Sequence, residues 1–373
     1  MNVVHVAMEE ETRWPAEWEV HERCWVGWPE RADVWPNGGK EAKQAMVEVA
    51  KAIANEGLEH VTLIASPRSV GEAAGAVSAA GLDGVVRVSA LELDDIWLRD
   101  TGPIVVRRTV GGATSLLGLD FAFNGWGGKF PPWTKDAEAA AGILELEGLA
   151  REDCRDFVLE GGSVHGDGVG TVLATETCLL NENRNPGLGR DGVERELRRR
   201  LGARKVVWLP RGIVWDGDTD GHVDNFACFA GPGRVLLSWC ECGEGPGVCA
   251  QCSSCEEAEA VLERETDADG HVFHVTRVPL AEIQRYTEGE AAAIEGGSRA
   301  PGEPLCCSYL NFYVSNAAVV MPGFGCPRSD ARAREVVERA FSPGRKVVQL
   351  GVGRTLALGG GNIHCLTMQK PEL

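Results

Sequence analysis

The sequence predicts a mixed α/β fold in which one strand–turn–strand–helix unit recurs roughly every 60–90 residues, about five times, and closes into a propeller-like ring with its helices outside. Three observations carry this prediction. Hairpin patterns recur along the chain, and amphipathic helical stretches fall between them. No G-x-G-x-x-G lies between a strand and a helix and no Walker A sequence is present, which removes the signatures of the competing Rossmann-like sheet.

The elements follow in order. EAKQAMVEVAKAIANEG, from Glu41, is amphipathic and ends at a glycine. PIVVRRTVGGATSLLGLDF, after Gly102, is a less regular hairpin, followed by the helical DAEAAAGILELEG. Ser163 to Glu176 is an alternating strand, a Gly-rich turn (Gly166-Asp-Gly-Val-Gly) and a second apolar strand, followed by the helical DGVERELRRRLG. His222 to Trp239 is a hairpin turning at AGPG. The stretch from Cys240 to about Gly270 then interrupts the pattern. It holds CECGEGPGVCAQCSSC, a helix over EEAEAVLERE and the turn DADG, and is expected to be a surface excursion before the strand HVFHVTRV. Tyr309 to Gly325 is a hairpin turning near Ser315 and Asn316. The helix SDARAREVVERAF follows, with Ser329 and Asp330 as its N-cap candidates.

The 373 residues, 44% hydrophobic and 25% charged, suffice for one large domain or two ordinary ones. The repeats favour one catalytic-sized domain over 1–373 with a Cys-rich surface insertion at about 240–270. Net charge is −18 and nothing resembles a basic stripe, so nucleic acid is excluded as a partner. An acidic field serves solubility and mildly favours cationic ligands. No run approaches the ~18 apolar residues of a membrane span. MNVVHVAMEEETRW is acidic and lacks the apolar core of a signal peptide, so a soluble, cytoplasmic protein is expected. Thirteen cysteines in such a chain imply free thiols rather than a disulfide framework.

Polar residues break the pattern at the mouths of four units. WLRDTGP carries Trp97, Arg99 and Asp100; EGGSVH carries Glu160; WDGDTDGHVDN carries Asp218, His222 and Asp224; GGGNIHC carries Cys365. In a closed pseudosymmetric fold these edges converge on one pocket. Cys365 follows three glycines, which allow close approach of a ligand, and Asn362 and His364 make its segment too polar for a plain core strand. His222 and Asp224, two apart, are expected on one strand face. H-x-D is also a metal-pair spacing, but no third histidine stands nearby, and no metal is assigned here. Carboxylates beside a thiol would hinder its ionisation. They make sense if the electrophile is itself a planar cation: paired N–H···O contacts bind guanidinium, and its charge then favours the thiolate.

At these residues the chain resembles the agmatine deiminases, plant-type members above all, through WLRDTGP, LEGGSVH, LNENRNP, DTDGHVDN and GGGNIHC in collinear order, with PAEWEVHERCWVGWPER from Pro15 and LDFAFNGWGGKF from Leu119. The resemblance implies a five-bladed pseudosymmetric α/β propeller of ββαβ repeats (the pentein fold), a cofactor-free homodimer and hydrolysis of agmatine. It assigns Cys365 as nucleophile and His222 as general acid/base. Asp100 and Asp224 become the guanidinium clamps, Glu160 the group that binds substrate and orients His222, and Asp218 a substrate neighbour. Trp97 and Trp126 are candidate walls for the substrate's aliphatic part. Trp18, Trp25, Trp28 and Trp35 are expected to be structural. Three positions depart from the family pattern: Phe121 for a tryptophan, Asp220 for an asparagine, and the Cys-rich segment at 240–255 for an acidic one.

Rival readings are an arginine or peptidylarginine deiminase and a non-catalytic binding module on the same propeller. The first lacks a cationic partner for the substrate carboxylate in the recognised motifs, and the second has no need of a thiol in an acidic pocket. Cys240, Cys242, Cys249, Cys252 and Cys255 could supply thiolates to zinc, but their spacing matches no standard ribbon, and a free-thiol or redox-sensitive loop is the reading preferred.

Overall fold

The computed structural model describes residues 10–373. The acidic stretch 1–9 lies outside the described residues. Those described form five small mixed sheets. Three have the bare form of an antiparallel hairpin whose second strand pairs in parallel with a strand returning after a helix. These are Val164–Gly166, Thr171–Thr175 and Lys205–Leu209; Ala227–Gly231, Arg234–Trp239 and His274–Pro279; and Tyr313–Val314, Ala318–Pro322 and Lys346–Leu350. A fourth, Ile104–Val110, Ala113–Ala122 and Ala150–Val158, gains Glu10–Arg13 on its edge. The fifth joins the two ends of the chain: Thr367–Pro371 runs antiparallel to His21–Gly27, which pairs in parallel with His60–Ala65 and that with Val86–Ala90. This is the five-bladed α/β propeller, and the C-terminal strand closes it.

The ring is held at its centre by links from blade to blade. Arg99 N donates to Cys365 O (3.0 Å), Gly162 N to Asp100 Oδ1 (2.9 Å), and Phe229 N to His165 Nδ1 (3.3 Å). Asn311 Nδ2 donates to Asn225 Oδ1 (3.0 Å) and His364 N to Asn311 O (3.1 Å).

Outside the ring, the crossover helices bury one stripe each. Lys40–Lys51 buries Ala42, Ala45, Met46, Val49 and Ala50, the helical i, i+3, i+4 pattern read from the sequence. Strands buried on both faces are apolar through their centres: Ala318–Pro322 throughout, and Thr171–Thr175 between its two terminal threonines.

Two readings of the sequence need correction. The helix expected to start at Ser329 runs Pro327–Phe341, because Pro327 has a backbone preset for the first turn. Asp330 still serves the helix start: its carboxylate accepts from the N–H groups of Phe324, Gly325 and Cys326. The supposed surface excursion also divides in two. Its middle part is the blade's own crossover helix, Ala250–Arg264, with Cys255, Ala258 and Leu262 fully buried, and the surface parts are the turn before it and the DADG turn after it. The helix expected over EEAEAVLERE thus begins earlier, at Ala250.

The expected tryptophan roles hold for Trp25, Trp28 and Trp35, all buried, while Trp18 is only partly covered. No helix among the described residues is long and apolar enough to cross a membrane. Leu173 is wholly buried in a core with Val207 and Phe226. Leu173→Ala is expected to lower unfolding free energy by about 2–5 kcal/mol, read from urea melts; a loss below about 1 kcal/mol would contradict this packing.

Candidate active site

Each sheet's first strand is preceded by a short turn, and each turn aims a polar side chain at the centre. Asp100 lies in Leu98–Thr101, Glu160 precedes Gly161–Ser163, and Asp224 lies in Val223–Asn225 just after His222. Cys365 lies just before Thr367–Pro371. Asn311, before Tyr313–Val314, is the member from the remaining blade, and sequence reasoning missed it. Its signal was positional, since it occupies in the YLNFYV hairpin the place that Cys365 occupies at the chain's end. His222 and Asp224 do converge, but from a single helical turn rather than from one strand face.

The convergence is tight. A Cβ on Gly162 would stand 2.7 Å from His222 Nδ1 and 2.8 Å from both Asp100 Oδ1 and Asp224 Oδ2. Three side chains from two blades thus share the space that a glycine leaves open on a third. Asn311 Nδ2 donates to Cys365 Sγ (3.0 Å), and Asn311 Oδ1 accepts from Cys365 N (3.1 Å). Asp224 Oδ2 lies 3.5 Å from Cys365 Sγ and 2.9 Å from His364 Nδ1. His364 Nε2 in turn lies 2.9 Å from Glu17, which accepts from Arg99 (3.1 Å). Trp126 Nε1 donates to Asp100 Oδ2 (2.9 Å). Glu160 places one oxygen on Arg184 (2.5 Å) and leaves the other without a partner. Glu160, Cys178 and His222 bring polar atoms within 4.8 Å of one another. Both ring nitrogens of His222 are buried without a hydrogen-bond partner, an expensive arrangement.

Burial and neighbouring charge set the protonation states. Burial pushes Asp100 up to about 6, Asp224 and Glu160 adding to the effect and His222 opposing it. Burial acts to lower the pKa of His222, but the charge of Asp100, with Cys178 and Asp224, outweighs it and holds the imidazole well above its ordinary value. Burial would raise Asp224, yet the His364 hydrogen bond and charge keep it below the usual carboxylate value. Burial, then Asp224 and Asp100, push the Cys365 thiol well up. The site is therefore a neutral thiol facing carboxylates and an imidazolium. A cation bound between Asp100 and Asp224 would remove the repulsion that keeps the thiol protonated.

Cys365, Asp100, Trp97, Trp126 and Asp218 line a cleft of about 160 Å³. His222, Asp224 and Glu160 do not line it and are almost wholly buried, with Asp224 against Cys365 and His222 Nδ1 3.7 Å from Asp100 Oδ1. Trp97 stacks on Trp35 with ring centroids 5.7 Å apart, and a Cβ on Gly361 would meet both Trp97 and Cys365. Trp126 holds a left-handed backbone (φ 54°), which costs energy for so bulky a residue. Asp218 is not free: Arg299 grips both its oxygens, at 2.8 and 2.5 Å. Asp220, also left-handed (φ 64°), pairs with Lys129 (2.7 Å) and Arg184 (2.8 Å), so the acid in place of an amide serves two cations. Phe121 packs its ring under Arg200.

A buried thiol among carboxylates at the hub of an α/β propeller is an arrangement suited to attack on a cationic electrophile. The chain belongs to the Porphyromonas-type peptidyl-arginine deiminase family, whose sequence model matches residues 13–371. It is 44% identical over 367 residues to the agmatine deiminase of Pseudomonas aeruginosa (strain LESB58), covering 96% of this chain and 95% of that one. It is 42% identical over 372 residues to the agmatine deiminase of Medicago truncatula, covering 96% of each. The bacterial and plant relatives are about equally similar, so the likeness is to agmatine deiminases as a group. The solved agmatine deiminase of Enterococcus faecalis superposes with a TM-score of 0.86 at 34% identity, over 97% of this chain and 96% of that one.

In Asp100→Asn the charge that most opposes burial at His222 is gone. The imidazole is expected to titrate at lower pH than in wild type, read from its ring C–H signals by NMR. An unchanged or higher midpoint would contradict the pairing.

Proposed function

We propose that this protein hydrolyses agmatine to N-carbamoylputrescine and ammonia through a covalent intermediate on Cys365. The observation that carries the reading is the juxtaposition of Cys365 Sγ with the buried Asp224 and Asn311 at a cleft lined by Cys365 and Asp100, in a chain 42–44% identical over nearly its whole length to proteins named agmatine deiminase.

Asp100 and Asp224 take the nitrogens of the guanidinium, and the cation between them lowers the cost of the thiolate. The thiol gives its proton to solvent as the cation binds, and the thiolate attacks the guanidinium carbon, forming a C–S bond. His222, cationic at rest, gives its proton to one amino nitrogen, and the C–N bond breaks to release ammonia. An amidino-thioether remains. His222, now neutral, takes a proton from a water molecule as its oxygen adds to the same carbon. The C–S bond then breaks as the hydroxyl proton passes to the sulfur, leaving the resting thiol and the ureido product. Positioning of this kind contributes about 7–11 kcal/mol in favourable cases, and acid/base help about 10²–10⁴-fold. The unpartnered oxygen of Glu160, beside His222, suits the orienting role. Trp97 and Trp126 would flank the aliphatic chain of the substrate.

The pairing of charges in the cleft favours agmatine over arginine. Three cations do line it, beside the mainly acidic residues of the motifs, but each has a carboxylate partner: Arg31 with Asp33, Lys129 with Asp220, Arg299 with Asp218. An arginine carboxylate would enter without a cation to receive it, at the cost of an unpaired charge. Homodimeric assembly and a cytoplasmic location complete the proposal, resting on the resemblance and on the free cysteines, which suit a reducing compartment, respectively. Light scattering at micromolar concentration tests the first, and a monomer would set it aside.

Ammonia release should favour agmatine over arginine and over a blocked arginine peptide by about 10²-fold or more in kcat/KM; equal turnover of arginine would overturn the substrate assignment. Cys365→Ser, folded as judged by circular dichroism, should retain below about 1% of turnover. The kcat/KM profile should fall as pH drops through about 6, where Asp100 gains a proton and ceases to attract the cation. A flat profile from pH 7 to 5 would remove Asp100 from the clamp.

A further inference from the structure

The hub leaves one side-chain cluster unused. Cys240, Cys242, Cys249 and Cys252 bring their sulfurs within 4.8 Å of one another, and none of them lines the cleft. Cys242 Sγ lies 3.5 Å from Cys252 Sγ, and Cys240 Sγ 3.9 Å from Cys249 Sγ. In tetrahedral zinc thiolate, bonds of about 2.3 Å place the sulfurs about 3.8 Å apart, a value the two observed separations bracket. A disulfide would need about 2.05 Å.

The chain is built to bring the four together. Cys240 directly follows the strand Arg234–Trp239, and Cys242 comes two residues later. Gly243, Gly245 and Gly247 then take left-handed backbones (φ 83°, 76° and 83°), folding the loop back on itself. Cys249 is the residue before the helix Ala250–Arg264, and Cys252 lies in its first turn. The helix start has no side-chain cap, and thiolates there meet the positive end of the helix dipole.

We propose that Cys240, Cys242, Cys249 and Cys252 hold a structural zinc ion. This reverses the preference for a free-thiol loop drawn from spacing alone, since the C-x-C and C-x₂-C pairs meet only across the glycine-rich turn. Cys255, counted with them in the sequence, is not a ligand: it is fully buried, with its sulfur 3.3 Å from Ser238 O. Four thiols give up four protons to the solvent as the metal binds, and all four positions are filled by protein, which suits a structural and not a catalytic ion. The ion would pin the strand end to the helix start. That helix start in turn holds the segment leading to Asp218 and His222: Gln251 Oε1 accepts from Val214 N (2.9 Å), and Ser254 Oγ donates to Gly212 O (2.8 Å).

The test is metal analysis of full-length protein purified under reducing conditions without chelator. One zinc per chain is expected in wild type and in Cys365→Ser, which separates this site from adventitious binding at the active thiol. Cys242→Ser/Cys252→Ser should hold less than about 0.2 zinc per chain. Cobalt added to metal-stripped wild type should give thiolate charge-transfer absorption and the intense visible bands of a tetrahedral ion. That measurement stands even if the double variant does not fold. Metal-free wild type without a cobalt signature, zinc kept in full by the folded double variant, or Cys240–Cys249 and Cys242–Cys252 disulfides in peptide mapping would each overturn the assignment.

Discussion

The site depends on one buried chain of charge: Arg99 to Glu17, Glu17 to His364, His364 to Asp224. All four are nearly inaccessible to water, where an isolated charge would be prohibitively costly. Each is offset by the next. Burial alone would raise Glu17, but Arg99, His364 and His165 hold it well below the usual carboxylate range. Burial and Arg99 would lower His364, but Glu17 and Asp224 raise it. The end of the chain is Asp224, kept ionised 3.5 Å from the Cys365 sulfur. Removing any one member would leave a buried charge uncompensated, so the network is rigid by necessity.

That rigidity explains how a thiol can sit among acids. The ionised carboxylates do not serve the resting cysteine, whose thiol they push upward. In the proposed reaction they serve the cation that arrives beside it. On that proposal the resting enzyme keeps its nucleophile protonated, and substrate charge completes the electrostatics. His222 fits the same scheme. It is cationic at rest because of Asp100 and the groups around it, so in the proposed cycle it begins able to give a proton rather than take one.

The architecture distributes these tasks by symmetry. Five blades each offer one turn to the hub, and the turns have diverged into thiol, imidazole with carboxylate, two further carboxylates, and the amide of Asn311 that fixes the thiol from both sides. The crossover helices carry none of the chemistry, yet Ala250–Arg264 reaches inward through Gln251 and Ser254 to steady the turn that bears Asp218 and His222. The periphery thus sets the precision of the centre.

The hairpins and the helix of Lys40–Lys51 were legible in the sequence because their information is local: alternation, turn glycines and a helical stripe are properties of a dozen neighbouring residues. The same holds for the polar breaks at Asp100, Glu160, His222 and Cys365, since a charged or reactive residue beside glycines conflicts with a strand wherever it stands. What the sequence could not decide was which distant residues meet. The fifth sheet is made from both ends of the chain, Asn311 looks like any hairpin asparagine until Cys365 is beside it, and Asp218 looks free until Arg299 grips it. Local pattern by itself determined that this chain is a ring of α/β units with acids and a thiol at its mouths. Only ring closure decided their partners, because contact across a propeller depends on the register of sheets far apart in the chain, and burial then sets each group's charge.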